Sequence, residues 1–299
     1  MSLAARIVPT HFVLFPVWAG ADALALEESL RSLREAAGLG RVLIGVDGPL
    51  PEPQSSVLRA LEAEGSPWSV HWFAHHRSLA PLLNDLIEVA LQDDTCEIVF
   101  RMDADDRCWP QRFIRQAAFL KEHPAVDVVG TWARTIDSEG RGRGNIRKPV
   151  DDRLLKDRLP VDSPFVHPSV AFRAELLRAG HRYPTNTPLF EDVAFWAELA
   201  LSGVRFSNVQ EVLLDYRYTP ATAQRRTGWL KAWVELKVRL NYVWHRLPFR
   251  IDLYCSSLLV FVVKTLLPPA ALPPLMKLRT QWLELLDRLQ AVRPRHGPP

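Results

Sequence analysis

Short apolar segments alternate with longer amphipathic segments through the first two thirds of the chain. The apolar runs are typical of buried strands and predict strands over 11–17, 41–46, 68–73, 97–102 and 126–132. The amphipathic stretches have apolar residues at helical spacing and predict helices over 22–37, 53–64, 79–91 and 110–123. Strands that alternate with helices of this length predict an α/β protein, with a mostly parallel sheet flanked by helices on both faces.

Three later segments complete this α/β region. The Gly- and Arg-rich stretch at 137–150 is compatible with a solvated hairpin tip or with a basic flap over an anionic ligand. Within 185–203 an amphipathic helix is expected to start after Glu191-Asp192, and 209–218 is the last predicted strand. The pattern changes after residue 224, so we expect a first domain over 1–224 and a C-terminal helical extension over 225–299.

The C-terminal region is basic. Residues 225–299 hold 13 Lys and Arg against 4 Asp and Glu, a net charge of +9, which leaves −6 for residues 1–224. Helices are predicted over 228–246 and near 277–291, whereas the apolar stretch 253–267 is shorter than the roughly 20 residues that span a membrane. Two interpretations stay open: an element that lies in the interface of an anionic membrane, or a helical cap packed on the first domain.

Composition excludes several classes of protein. With 47% hydrophobic and 24% charged residues, the chain is neither disordered nor collagen-like nor a coiled coil. Its three cysteines have no paired spacing, which excludes a disulfide framework and favours a reducing compartment. The first residues lack the apolar stretch of a signal peptide, so we expect a cytoplasmic protein.

Acidic residues are concentrated directly after the predicted strand 97–102, in the sequence Asp103-Ala104-Asp105-Asp106. Crowded carboxylates repel one another unless a cation or hydrogen-bond donors offset the repulsion, and Mg²⁺ and Mn²⁺ prefer oxygen ligands. Ligands of parallel α/β sheets bind outside the carboxyl ends of the strands, where Asp47 also lies. Asp103 and Asp105 are therefore candidate metal or nucleotide contacts, while Asp106 is suited to cap the helix that Pro110 opens.

Several segments resemble, in their order along the chain, the motifs of glycosyltransferase family 2, which has the GT-A fold. They are FPVWAG (15–20), GVDGP (45–49), SLAPLLNDLIEVA (78–90), FRMDADD (100–106), HPAVDVVGTW (123–132), SPFVHPSVAFR (163–173) and FEDVAFW (190–196). The resemblance extends from about residue 10 to residue 218. One Asp-x-Asp motif is weak evidence because acidic turns are common, but so many segments in register are specific.

The resemblance implies a site for a nucleotide-diphosphate sugar. Pro16 and Val17 would line the base pocket, and Asp47 would accept hydrogen bonds from the base. Asp103 would face the ribose, and Asp105 would ligate a Mg²⁺ or Mn²⁺ ion on the diphosphate, with Asp103 as its neighbour in the metal site. The ion would neutralise the charge that develops on the leaving nucleoside diphosphate.

The resemblance also implies how an acceptor hydroxyl is activated. Asp192 would be the general base, Glu191 would orient it or bind the sugar, and His167 would lie near the donor sugar and the acceptor. A single displacement inverts the anomeric carbon. From the residues alone, Glu191 and Asp192 could simply favour a helix N-terminus through the helix dipole, and His167 could be structural.

The chain departs from the family pattern at several positions. Ala19 replaces an asparagine, His76-Arg77-Ser78 replaces an Asn-x-Gly sequence, and Ala194 replaces a second aspartate. Thr219 stands where relatives often have a histidine that reaches the metal, so the third metal ligand is open. The alternative is therefore a catalytically weak protein that binds nucleotide sugars as a scaffold at the membrane.

The expected partners follow from the resemblance and from the charge. The resemblance implies bacterial surface-polysaccharide synthesis, with a carbohydrate or lipid-linked acceptor. The basic segment 225–299 would hold the enzyme peripherally on the cytoplasmic face of the inner membrane, where each Lys or Arg contributes on the order of 1 kcal/mol. We expect no nucleic-acid partner, because the acidic residues 1–224 contain no recognisable nucleic-acid-binding module.

Overall fold

The computed structural model describes residues 10–187, 190–219, 222 and 228–266. Its strands are β1 (Thr10–Trp18), β2 (Arg41–Asp47), β3 (Trp68–Phe73), β4 (Cys96–Arg101), β5 (Arg107–Cys108), β6 (Val128–Ile136), β7 (Gly142–Ile146), β8 (Ala171–Arg173) and β9 (Phe206–Arg217). The α-helices of these residues are α1 (Ala23–Arg34), α2 (Glu52–Glu64), α3 (Leu79–Leu91), α4 (Arg112–Glu122), α5 (Asp152–Arg158), α6 (Ala174–Arg178), α7 (Glu191–Leu201), α8 (Trp229–Arg246) and α9 (Ile251–Leu266).

The strands form one mixed sheet in the order β3-β2-β1-β4-β8-β6-β9-β5, with β7 paired to β6. Strands β3, β2, β1 and β4 are parallel, as are β6 and β9, whereas β8, β5 and β7 run antiparallel to their neighbours. The expectation of a mostly parallel sheet is therefore corrected to a mixed one. Parallel pairs need a crossover: helices α1 to α3 connect β1 to β4, and α5 to α7 lie between β6 and β9. The β6–β7 hairpin is antiparallel and requires no crossover.

Strand β1 shows how the sequence builds a core on both faces of the sheet. Its side chains alternate, so Phe12 and Leu14 join one apolar cluster and Val13, Phe15 and Val17 join the other. The first cluster also contains the buried faces of α3 and α7, and the second those of α1 and α4. A strand buried on both faces is continuously apolar, which is why its segment has no polar alternation.

Three of the differences from the predicted boundaries concern segments near the site. Part of the Gly- and Arg-rich stretch is strand β7, which pairs with β6 and makes 137–146 a hairpin. Helix α4 begins at Arg112, two residues beyond Pro110, and α7 begins at Glu191 itself. The predicted helix near 277–291 lies outside the described residues.

The inner faces of the two C-terminal helices pack on the α/β region. Tyr242 is fully buried in the cluster that contains α7, and its hydroxyl donates to the carbonyl of Lys156 at 2.9 Å. Arg239 is buried with Glu235, and the two side chains form an ion pair at 2.7 Å. None of the helices among the described residues is both long enough and apolar enough to cross a bilayer.

Candidate active site

The residues predicted for the donor side of the site lie at the carboxyl edge of the parallel strands. Strand β1 runs in register with β2 so that Trp18 lies opposite Asp47, and β4 follows on the other side of β1. The acidic segment 103–106 leaves the sheet directly after β4. The strand order thus brings together groups that are more than 50 residues apart in the chain.

Three carboxylates form the centre of this edge. Oxygen atoms of Asp103, Asp105 and Asp106 lie within 4.8 Å of one another. Asp106 is fully buried, and its Oδ1 accepts a hydrogen bond from the backbone N–H of Arg217 at 2.8 Å. Asp106 does not cap a helix, since α4 starts at Arg112. From the sequence, Asp106 was expected only to cap a helix. Its position beside Asp103 and Asp105 makes it a third candidate metal ligand.

The carboxylates of this acidic cluster, Asp103, Asp105 and Asp106, repel one another. Burial raises the pKa of Asp106 well above its usual range, and the charges of Asp105 and Asp103 raise it further. A cation among the three carboxylates would relieve this repulsion, and an all-oxygen donor set is the type that Mg²⁺ and Mn²⁺ prefer. The residues present therefore fit the metal ion that the sequence implies.

A buried arginine lies beneath the cluster. Arg101, the last residue of β4, is fully buried and forms an ion pair with Asp103. Within the described residues, its Nε and Nη1 atoms have no hydrogen-bond partner. Its carbonyl accepts a hydrogen bond from Arg112 at 2.7 Å, which fixes α4 against the end of β4. The motif FRMDADD contains this arginine, but its burial could not be deduced from the spacing.

Asp47 is buried at the end of β2 and is held by the segment before α3. Its Oδ1 accepts the backbone N–H of Arg77 at 2.5 Å, and its Oδ2 lies 2.7 Å from His76 Nδ1. The residues that replace the Asn-x-Gly sequence of relatives thus bind directly to the expected base acceptor. Pro16 and Val17 are buried in β1, and the side chain of Val17 packs in the core.

The first turn of α7 supplies the carboxylates Glu191 and Asp192. Glu191 is buried, while Asp192 is half-buried and accepts the backbone N–H of Val193 at 2.8 Å. The negative charges of both carboxylates affect the pKa of the buried Tyr183 hydroxyl. Burial raises the pKa of that hydroxyl, the charges of Asp192, Glu191 and Asp103 raise it further, and Arg101 lowers it. The Tyr183 ring also packs against Phe195 of α7, with 4.4 Å between the ring centroids.

Tyr183 is held by two residues from other motifs. Asn84 of α3 donates to the Tyr183 carbonyl and accepts from its backbone N–H, both at 2.9 Å. His167 Nε2 lies 2.9 Å from the Tyr183 hydroxyl, and its ring packs edge-on against Trp196. Tyr183 was not a sequence-based candidate, because it lies in a loop whose pattern carries no periodic signal.

Thr219, which stands at the position of the open third ligand, is hydrogen-bonded to a neighbouring threonine. The hydroxyl of Thr219 lies 3.2 Å from that of Thr222 and accepts its backbone N–H at 3.3 Å. Asp106 thus offers the cluster a third carboxylate, whereas the Thr219 hydroxyl is hydrogen-bonded to Thr222.

Solved structures share this architecture at low sequence identity. TarS of S. aureus, in complex with UDP, aligns with a TM-score of 0.56 and 17% identity over 81% of this chain and 73% of that chain. The mannosyltransferase PcManGT of Pyrobaculum calidifontis, in complex with GDP-Man and Mn²⁺, aligns with a TM-score of 0.54 and 18% identity over 95% and 84%. The GT-A fold expected from the sequence is confirmed.

Sequence comparison identifies the family. The family model for glycosyl transferase family 2 matches residues 12–180, more than half of the chain, and the chain belongs to that family. UDP-Gal:alpha-D-GlcNAc-diphosphoundecaprenol beta-1,3-galactosyltransferase of Escherichia coli is 26% identical over 236 residues, which cover 78% of this chain and 83% of the relative. Amylovoran biosynthesis glycosyltransferase AmsE of Erwinia amylovora is 25% identical over 252 residues, with coverage of 81% and 87%.

Proposed function

We propose that the protein is an inverting glycosyltransferase that moves a sugar from a nucleotide-diphosphate sugar to a hydroxyl of a lipid-linked acceptor in bacterial surface-polysaccharide synthesis. The observation that carries the proposal is the cluster of three carboxylates at the end of β4, an all-oxygen donor set that suits the divalent ion of a nucleotide-diphosphate donor. The names of the two bacterial relatives support the substrate class, one by a diphosphoundecaprenol acceptor and one by a polysaccharide product.

The donor half of the site would bind the nucleotide and its diphosphate. Asp47 is buried and offers carboxylate oxygens to a base at the end of β2. Asp105 and Asp103 would hold Mg²⁺ or Mn²⁺, with Asp106 beside them. When bound, the ion supplies positive charge to the leaving diphosphate. Arg101 orients Asp103 through their ion pair.

The acceptor half would contribute the base. Asp192, in the first turn of α7, takes a proton from the acceptor hydroxyl while that oxygen attacks the anomeric carbon. Glu191 is more buried and orients the site from the same turn. His167, fixed by the Tyr183 hydroxyl, lines the region near the acceptor. One displacement from the face opposite the leaving group inverts the anomeric carbon.

A screen of nucleotide sugars by thermal shift with Mn²⁺ tests the donor class, because a specific ligand raises the midpoint of unfolding. The stabilising donor is then used in a transfer assay with a diphosphate-lipid acceptor, and the anomer of the product is read by NMR. Asp105→Asn and Asp192→Asn should each abolish transfer, and Asp94→Asn, an exposed carboxylate far from the site, should not. Full activity of Asp192→Asn, or retention at the anomeric carbon, would contradict the proposed mechanism.

We further propose that the outer faces of α8 and α9 bind an anionic membrane surface from the cytoplasmic side. Large apolar side chains are exposed there, including Trp229 (64%), Trp244 (67%) and Phe249 (93%). Lys237 and Arg250 are exposed on the same helical hairpin. Apolar and cationic groups side by side fit a bilayer interface with anionic headgroups.

Vesicle flotation tests this surface with the full chain. The double variant Trp244→Gln, Phe249→Gln should float poorly with phosphatidylglycerol vesicles, and neutral phosphatidylcholine vesicles should bind the wild type weakly. Leu24→Gln is the matched control, since Leu24 is 73% exposed on α1. Equal flotation of the double variant and the control would refute the membrane surface, and concentration-dependent dimers without flotation would assign the face to a second copy.

A further inference from the structure

Arg217, the last residue of β9, contacts three separate parts of the site. Its backbone N–H donates to Asp106 Oδ1 and its Nε donates to the carbonyl of Asp105, both at 2.8 Å. Its Nη1 donates to the carbonyls of Asp137 and Ser138 at 2.9 and 2.7 Å. The arginine thus joins the acidic segment to the turn of the β6–β7 hairpin.

A fifth contact anchors the arginine to α1. Arg217 Nη2 donates to Glu28 Oε2 at 2.6 Å, and Arg107, next to Asp106, donates to the same oxygen through its own Nη2 at 2.6 Å. The Arg217 side chain is 6% exposed. Four of the five guanidinium N–H donors are therefore used, each by a different acceptor.

Only the planar fork of an arginine meets these acceptors together. A lysine has the charge but carries its donors on one nitrogen, so it cannot reach the Asp105 carbonyl, the hairpin turn and Glu28 at once. Within the acidic segment, the contacts of Arg217 go to the carbonyl of Asp105 and to the carboxylate of Asp106.

We propose that Arg217 is a positioning residue that sets the backbone of the acidic segment, so that the three carboxylates lie at metal-binding distance before the ion arrives. The inference rests on the metal site of the proposed function. Groups that hold metal ligands in place typically change metal affinity by about 10- to 100-fold when they are removed.

Direct Mn²⁺ titration, with the free ion followed by its EPR signal, tests the proposal without a substrate. Arg217→Lys should bind Mn²⁺ on the order of tenfold more weakly than the wild type. Glu28→Gln, at a half-exposed position, should weaken binding in the same direction and to a smaller extent, because Arg217 keeps its other contacts. Arg134→Gln is the matched control: it removes an ion pair to Asp215 of the same strand without touching the acidic segment.

Hydrogen exchange of the metal-free proteins gives a second readout. Peptides that contain 103–108 should exchange faster in Arg217→Lys than in Arg134→Gln, with both variants folded. Unchanged Mn²⁺ affinity and unchanged exchange in Arg217→Lys and Glu28→Gln would overturn the proposal. A wild type that binds no Mn²⁺ would instead contradict the metal part of the proposed function, and exchange alone would then decide the role of Arg217.

Discussion

Replacing Ser78 with glycine should stabilise the protein. Ser78 precedes α3 with φ 67° and ψ 168°, and it is the only non-glycine residue with positive φ in the part of the chain that the structure describes. This region of backbone space is essentially restricted to glycine, because a Cβ atom crowds the neighbouring peptide groups. The Ser78 side chain is exposed and makes no capping bond to α3, so its removal sacrifices no contact.

The magnitude follows from two opposing effects. A strained residue of this kind costs on the order of 1–3 kcal/mol, which glycine would relieve. Glycine also gives the unfolded chain more freedom, and that offsets about 0.4–1 kcal/mol. The net gain in the free energy of unfolding is therefore about 0.5–2 kcal/mol, or roughly 1 to 4 °C in the midpoint for a protein of this size.

Chemical and thermal unfolding of three proteins tests this reasoning. Ser78→Ala keeps the Cβ atom, so it should match the wild type, while Ser78→Gly should unfold at a higher temperature. The neighbouring bond from Arg77 to Asp47 should survive in both variants. If Ser78→Ala stabilises as much as Ser78→Gly, or if Ser78→Gly destabilises, backbone strain at this position is not the cause.

Three further predictions concern the base, the thiols and the sheet. Asp192→Asn should lower kcat by several orders of magnitude and leave donor binding within a fewfold of wild type, as judged by thermal shift. At pH 8 only the exposed Cys255 should react with a disulfide reagent in the native protein. Burial raises the pKa of Cys96 to about 12 and that of Cys108 to about 11, and so suppresses their reactive thiolates. Fast reaction of three thiols per chain would contradict this prediction. Gly130→Ala should destabilise by about 1–3 kcal/mol in denaturant titrations, since its Cβ would lie 2.4 Å from Asn208 Oδ1 in a packed core.

The alternation of strands and helices could be predicted from the sequence because the spacing of apolar residues depends only on the local element. A run such as HFVLFPV is apolar at consecutive positions because β1 is buried on both faces, and that local fact is visible in the sequence. The returning strands β5 and β8 are two and three residues long. Segments that short have no period, so the mixed character of the sheet could not be predicted.

The ends of helices were harder to predict from the sequence than the strands. Asp106 and Pro110 satisfied a capping pattern, yet α4 begins only at Arg112. The competing requirement was tertiary: the Asp106 carboxylate accepts the backbone N–H of Arg217, 111 residues further along the chain. A local pattern fails when a distant donor binds the same group more tightly.

By itself, the sequence determined the family, the order of elements in the α/β region and the acidic residues that follow β4, because these depend on residue type and short-range spacing. Only the tertiary structure decided that Asp106 joins Asp103 and Asp105, that Tyr183 packs against α7, and that Arg217 links the acidic segment to α1. The physical reason is that burial and hydrogen-bond partners are set by strand order, which places side chains from distant segments at one edge of the sheet.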